Sequence, residues 1–545
     1  MHLKPFEVIV IGSGATGGIA ALTLAKAGIR VLVIEAGPQL SLKQAFGSEP
    51  QNTFKRLYGL ISGEHRKQSQ HPGFWKTNPL LYANEKENIY EHPKDRPFIW
   101  TQGRQVGGKS LTWGGITLRL SDYDFKAANH DGVGESWPIQ YSDLSSHYSN
   151  IENLLRIYGN KDGLDQLPDG EYVGKKPFTK SEKVFAGRTI NKLGYPVIHS
   201  RGFESNNSKT NKDWPRSSSL GSTLKIAIAT GKVQLLSNHI AERLIMNGSE
   251  DKAKGIIVIN KENSSRIKLE AKLIVLCAST IQTLKFLLNS EKAHNEEGFE
   301  DTSQSLGCNL MDHVSICRFF NLSGQGIDPL ENSGETLSGA GSFFIPFGNK
   351  PNIYEHKGFN RGYGIWGGID RFEPPSFLKY DKYSKIGFLI GHGEVLPNKS
   401  NKVTLSNKKD IWGGYIPNID IKWRENENNM VDHMSKTIEK IIVSSGGKML
   451  PLNKIINFPF SNLILNNALA TQQNAPPPGY YIHEVGGAPM GSSEDKSVVD
   501  KWNRLWRCKN VLVVDGACWP SSSWQSPTLT MMAITRRACL KATKN

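Results

Sequence analysis

The stretch FEVIVIGSGATGGIAALTLAKAGIRVLVIEAG, residues 6–37, constrains this chain more than any other. It reads as a strand, a glycine turn, a helix and a second strand within about 30 residues, the signature of a βαβ unit. Its turn, Gly12-Ser13-Gly14-Ala15-Thr16-Gly17, has the spacing GxGxxG. The first glycine permits the tight turn, the second lets a pyrophosphate approach the backbone, and the third allows close packing of helix on strand. Free amides and the helix dipole then face the phosphates. Glu35 ends the second strand about 20 residues further on, where a carboxylate accepts hydrogen bonds from a ribose. The loop alone does not separate NAD from FAD.

The rest of the chain reads as two lobes. Strand-like runs return at KVQLLSN, KGIIVIN and AKLIVLCAST, and the region from about 312 to 485 turns rich in Gly, Pro, Tyr, Phe and Trp. Near the C-terminus NVLVVDGA reads as a buried strand followed by a helix, PTLTMMAITRRACLKA, so the chain comes back to its first domain. The expected class is α/β: a discontinuous Rossmann-like domain (1–40, 95–130, 215–311 and 490–545) with a second, α+β substrate-binding lobe (131–214 and 312–489). Residues 41–94 are polar and aromatic with poor periodicity, which reads as an excursion or lid. A C-terminal strand that returns to the cofactor suits a long cofactor with an isoalloxazine ring better than NAD.

Charge and composition exclude some classes. The net charge of +15 comes from lysines scattered beside acidic residues, with no arginine-rich run or nucleic-acid module, so a solvated basic surface is expected and not a nucleic-acid partner. No apolar run approaches the roughly 18 residues of a membrane span, and the N-terminus runs directly into a strand, so a cytoplasmic location is expected. The six cysteines show no CxxC spacing, which predicts reduced thiols and no metal site.

In order along the chain, the N-terminal fingerprint is followed by GRQVGGKSLTWGG, LIVLCASTIQTLKFLLNS, LGCNLMDH, HEVGGAPMG and NVLVVDGACWPSSSWQSPTLTMMA. These segments resemble the glucose–methanol–choline (GMC) oxidoreductases over nearly the whole length, and the wording after GGKSLTWGG is similar to the branch with sugar and glycoside dehydrogenases. The resemblance implies FAD held by Gly12, Gly14, Gly17, Glu35, Gly107, Gly108, Ser110, Asp515 and Gly516, with Ala15 and Thr16 completing the loop. Some relatives attach the flavin through a histidine. That position is Thr112 here, so a noncovalent flavin is expected. Trp113 stands where many members carry asparagine.

Oxidising an alcohol means removing a hydroxyl proton and a carbon-bound hydride. A neutral histidine can take the proton near physiological pH. His483, in YYIHEVGGAPMG before the cofactor-returning strand, is the candidate, and the resemblance assigns the base there too. The family's second site residue, asparagine or histidine before a proline, corresponds to Ser526. A serine before Pro527 reads as a helix N-cap, and the helix start at Pro527 and Thr528 would face the flavin pyrimidine edge. Ser526 is also a candidate for the substrate hydroxyl, and Gln525 for supplying the missing amide. Tyr480, Tyr481, Trp366, Phe343 and Phe344 are candidates for a sugar-stacking surface, though packing is the commoner use of such residues. Glu484 is expected to point away from His483, and His313 is read as structural.

The expected function is oxidation of an alcohol, a sugar or polyol above all, with oxygen, a quinone or a redox protein as acceptor. A flavin-containing lyase and a catalytically impaired flavoprotein are the alternatives.

Overall fold

The computed structural model describes residues 6–203, 213–247, 250–293, 299–328, 339, 342–346, 358–371, 385–451 and 474–544. Its first sheet has six strands in the order Arg504–Leu505, Cys508–Val513, Leu273–Leu276, Val8–Ile11, Val31–Ile34, Val233–Leu236. All neighbours run parallel except the first pair. Every residue of Val8–Ile11 and Val31–Ile34 is buried. Such uninterrupted aliphatic runs belong to parallel strands covered on both faces.

Helices Ala15–Lys26 and Thr528–Ala542 pack against one another, and the second also meets Tyr141–Leu155. The Tyr148 and Thr530 hydroxyls hydrogen-bond across that contact at 2.8 Å. The run KGIIVIN goes elsewhere than the parallel sheet: it lies in Glu250–Asn260, the middle of a three-stranded antiparallel sheet with His239–Asn247 and Arg266–Glu270.

A second six-stranded sheet is wholly antiparallel, in the order Gly447–Met449, Val314–Leu322, Lys385–Gly393, Tyr363–Ile369, Phe343–Pro346, Ile198–His199. Helix Glu425–Ser444 covers one face, closely enough that a Cβ at Gly391 would lie 2.8 Å from Met434 Sδ. The other face looks toward the first sheet's loops.

Residues 41–94 are more structured than an excursion. They contain Leu42–Phe46, started by a Ser41/Gln44 capping box, and Glu49–Ser62. Ala45, Phe74, Leu81 and Tyr82 form an apolar cluster of their own. Among the described residues no helix is long and apolar enough to cross a membrane.

Candidate active site

The glycine loop divides its labour. Gly12 has φ +102°, and a Cβ there would lie 2.3 Å from Cys277 O, while one at Gly17 would lie 2.0 Å from Gly12 O. These two glycines serve the turn and the helix–strand contact. At Gly14 the nearest atom to an added Cβ is Gly107 O at 3.9 Å, so backbone is left bare there. Helix Ala15–Lys26 has no capping side chain and no acid in its first turn, which leaves its leading amides for a ligand.

Glu35 closes this end. Its Oε2 accepts from the Ser13 amide (3.2 Å) and hydroxyl (2.6 Å), and its Oε1 from the Gly37 amide (2.9 Å). Burial raises its carboxyl above the usual range, and those hydrogen bonds oppose the rise. Ser13 Oγ also accepts from the Gly107 amide at 2.9 Å, tying the second glycine-rich loop to the first. Ser110 Oγ donates to Gly107 O (2.6 Å) and accepts from the Ser219 amide (3.0 Å). Asp515 accepts from Thr283 Oγ1 (2.6 Å) and the Ala517 amide (3.0 Å), and burial pushes its carboxyl up to about 6.

One cavity of about 640 Å³ joins these groups. Of the residues that the resemblance implies for FAD, the catalytic pair His483 and Ser526, and Ala15, Thr16, Pro527 and Thr528, all line it except Gly17 and Gly107, which work behind the wall. The cavity fits an extended dinucleotide: bare backbone at Gly14, uncapped amides beside it, and beyond Glu35 the buried Nε of Arg104, which has no hydrogen-bond partner among the described residues. Thr112 lines the wall, and its hydroxyl donates to Lys109 O at 3.3 Å. The Trp113 indole donates to Ser217 O at 3.1 Å and packs edge-on against Phe203.

At the far end stands His483. It lies outside any strand, on an irregular segment whose Ile482 has φ +67°. Asp312 holds that segment, accepting from the amides of His483 and Gly479, each at 2.8 Å. Burial, followed by the charge of Glu484, raises the Asp312 carboxyl to about 7.

The residue that sequence reasoning missed is His313. Its Nδ1 lies 2.9 Å from His483 Nδ1, and its Nε2 lies 2.5 Å from the carbonyl of Ser523. A carbonyl can only accept, so His313 carries its proton on Nε2 and offers a lone pair at Nδ1. His483 must then donate from Nδ1, which leaves its Nε2 unprotonated. Burial keeps both rings neutral, lowering His313 to about 4 and His483 well below the usual histidine range. The signal in sequence was the Asp312-His313 doublet leading into a long strand, but nothing in linear spacing paired it with a residue 170 positions away.

Four further expectations are corrected. Helix Thr528–Ala542 is preceded by Pro527 in helical conformation at the cap position with no side-chain cap. Ser526 therefore falls one residue too early to reach the first-turn amides, and it lines the cavity instead. Gln525 faces away, its amide donating to Asp124 Oδ2 (2.8 Å) and Gln166 O (3.2 Å). Glu484 does not point away from the site: outside a strand there is no alternation, and it lines the cavity paired with Lys109 at 3.1 Å. Phe343 and Phe344 are buried in the core, whereas Trp366, Tyr480 and Tyr481 reach the cavity.

A Rossmann-type sheet, a phosphate-ready glycine loop and a buried histidine on one cavity are the features of a dinucleotide-dependent oxidoreductase. The comparisons make the class specific: models of the N- and C-terminal parts of GMC oxidoreductases match residues 6–315 and 397–535. The chain belongs to the GMC oxidoreductase family and is an FAD-dependent enzyme acting on alcohol or sugar substrates. It is 23% identical to the fructose dehydrogenase large subunit of Gluconobacter japonicus, over 98% of this chain and 96% of that one. It is 24% identical to the 2-methyl-1,2-propanediol dehydrogenase of Mycolicibacterium austroafricanum, over 98% and 94%. In fold it is similar to pyridoxine 4-oxidase from Mesorbium loti (TM-score 0.64, 15% identity, 99% of both chains).

Proposed function

We propose that this enzyme oxidises an alcohol with His483 as the base. Bound FAD supplies the hydride acceptor, at its N5. Gly12, Gly14 and the leading amides of Ala15, Thr16 and Gly17 would hold its pyrophosphate and Glu35 its ribose. Gly108, Ser110, Asp515, Gly516, Pro527 and Thr528 would hold the rest, with Gly107 fixing the second loop from behind through its bond to Ser13.

His483 Nε2 takes the hydroxyl proton. The observation that carries this reading is the hydrogen-bonded series from Ser523 O through His313 to His483 Nδ1, which leaves the base one unprotonated nitrogen. Burial of the neutral rings means no proton must first be stripped from the base at physiological pH. Asp312 fixes the backbone on which the base rides. Ser526, freed from capping, offers a hydroxyl to the substrate oxygen.

His483→Ala tests the assignment. It should keep its flavin absorbance while anaerobic reduction by alcohol slows by about 10²–10⁴-fold, the usual worth of a positioned base. Reduction at the unmutated rate would sink the proposal.

A further inference from the structure

The cavity continues beyond His483 along the open face of the antiparallel sheet, and strand register decides what it presents there. Ser315, Cys317 and Phe319 alternate along Val314–Leu322, so all three share that face. Cys317 pairs with Ile390, and Ile390 with Trp366; Phe319 pairs with Phe388. All six line the cavity, and directly paired residues stand on the same side of a sheet.

The row nearest the base is Ser315 beside His392, whose ring stacks on Tyr481 and lies 5.4 Å from His313. The Cys317–Ile390–Trp366 row follows, then Phe319–Phe388. From first row to last is about 13 Å of strand.

Among the described residues in these rows there is no carboxylate, carboxamide, lysine or arginine side chain. Polar atoms stand at the base end, in the Ser315 hydroxyl and the His392 ring, whose nitrogens have no hydrogen-bond partner among the described residues. In the two rows beyond, the polar atoms are turned inward or muted. Trp366 Nε1 donates to Ser342 Oγ at 2.6 Å, and its ring packs edge-on against Phe388. Burial pushes the Cys317 thiol up to about 12, so it presents a neutral sulfur.

We infer that the substrate is an alcohol with an apolar body, its carbinol at His483 and its hydrocarbon part laid along Cys317, Ile390, Trp366, Phe319 and Phe388, and that it is not a sugar. A sugar's other hydroxyls would lose water on this face without gaining partners, which binding sites for polar ligands avoid by supplying convergent polar groups. An alkyl or aryl body loses nothing there. The inference rests on His483 as the base of the proposed reaction, because that places the reacting carbon.

The test uses the full-length, FAD-loaded enzyme and two series. Tertiary alcohols of increasing chain length have no carbinol hydrogen and can only bind, which is read from perturbation of the flavin spectrum. Primary alcohols of the same lengths, together with hexoses and polyols, are followed by anaerobic flavin reduction. Affinity of the tertiary series should rise about fourfold per added methylene until the body fills the face. The primary series should rise in parallel in kcat/KM, with the best member at least about 100-fold above any hexose.

A flat chain-length series, or a hexose or polyol as the best substrate, overturns the inference. If the tertiary series shows the rise and no primary alcohol reduces the flavin, the apolar substrate face stands and the assignment of His483 as base falls.

Discussion

Deleting the His313 side chain should disable the base without touching substrate or cofactor. In His313→Ala, the Nδ1–H of His483 loses the acceptor now 2.9 Å away, in a pocket where His313 is only 4% exposed. A buried donor left without a partner costs about 1–3 kcal/mol. The neutral ring escapes that cost by moving its proton to Nε2, which removes the lone pair the reaction needs. The productive tautomer then becomes a minor species by the same free energy, and flavin reduction should slow about 5- to 150-fold. His313→Asn places a carbonyl oxygen close to the lost acceptor and should recover most of the rate. The assay is stopped-flow anaerobic reduction by a saturating alcohol from pH 6 to 9, with flavin content and melting temperature measured on the same preparations. Because both rings are held neutral with depressed pKa values, the unmutated enzyme should show no fall in rate from histidine protonation across that range. Full activity in His313→Ala refutes the tautomer argument. So does an asparagine variant no faster than the alanine one when both are folded and loaded.

Gly17→Ala should lose flavin from the purified protein and lower the melting temperature, since its Cβ would sit 2.0 Å from Gly12 O and overpacking of this kind costs about 1–3 kcal/mol. Flavin content unchanged from the unmutated protein would contradict the packing role. Ser526→Ala should cost less than the about 1 kcal/mol of a lost helix cap, because no cap bond is made, while slowing flavin reduction. Destabilisation of about 1 kcal/mol in denaturant unfolding would instead reinstate the cap. His71 lines the cavity, and burial lowers it to about 4. The unfolded chain therefore takes up this proton first on acidification, so stability drawn from His71 is whole above about pH 6.5 and is lost as pH falls toward 4. Unfolding curves of His71→Asn and the unmutated protein should diverge from pH 7 to 5, the variant losing less, and parallel curves would remove His71 from the acid limb.

What was legible in the sequence is local. Gly12, Gly14 and Gly17 announce themselves because turn, helix start and strand lie within a few residues, and the physical demand on each is met by its own backbone. Glu35 follows because one helix and one strand fix its distance from the loop. Motif order then carried Gly107, Gly108, Ser110, Asp515, Gly516 and His483 to positions that, apart from Gly107, line one cavity. Expectations that leaned on an assumed local conformation fared worse. Ser526 needed an extended backbone at the cap, and the structure puts Pro527 there in helical conformation instead. Glu484 needed strand alternation, and its segment is irregular.

The sequence by itself therefore determined a Rossmann-type cofactor domain, the acid that closes its second strand and a histidine that lines the same cavity. Tertiary structure alone decided the partner of that histidine and the character of the surface beside it. His313 reaches His483 across 170 residues because Asp312 holds the His483 segment from the foot of a strand in the second sheet. Cys317, Ile390 and Trp366 share one row because three strands align in a particular register, which follows from packing between distant segments. Short-range steric and hydrogen-bond demands are written in neighbouring residues, whereas the tautomer of a buried base and the polarity of a sheet face arise only when remote segments meet.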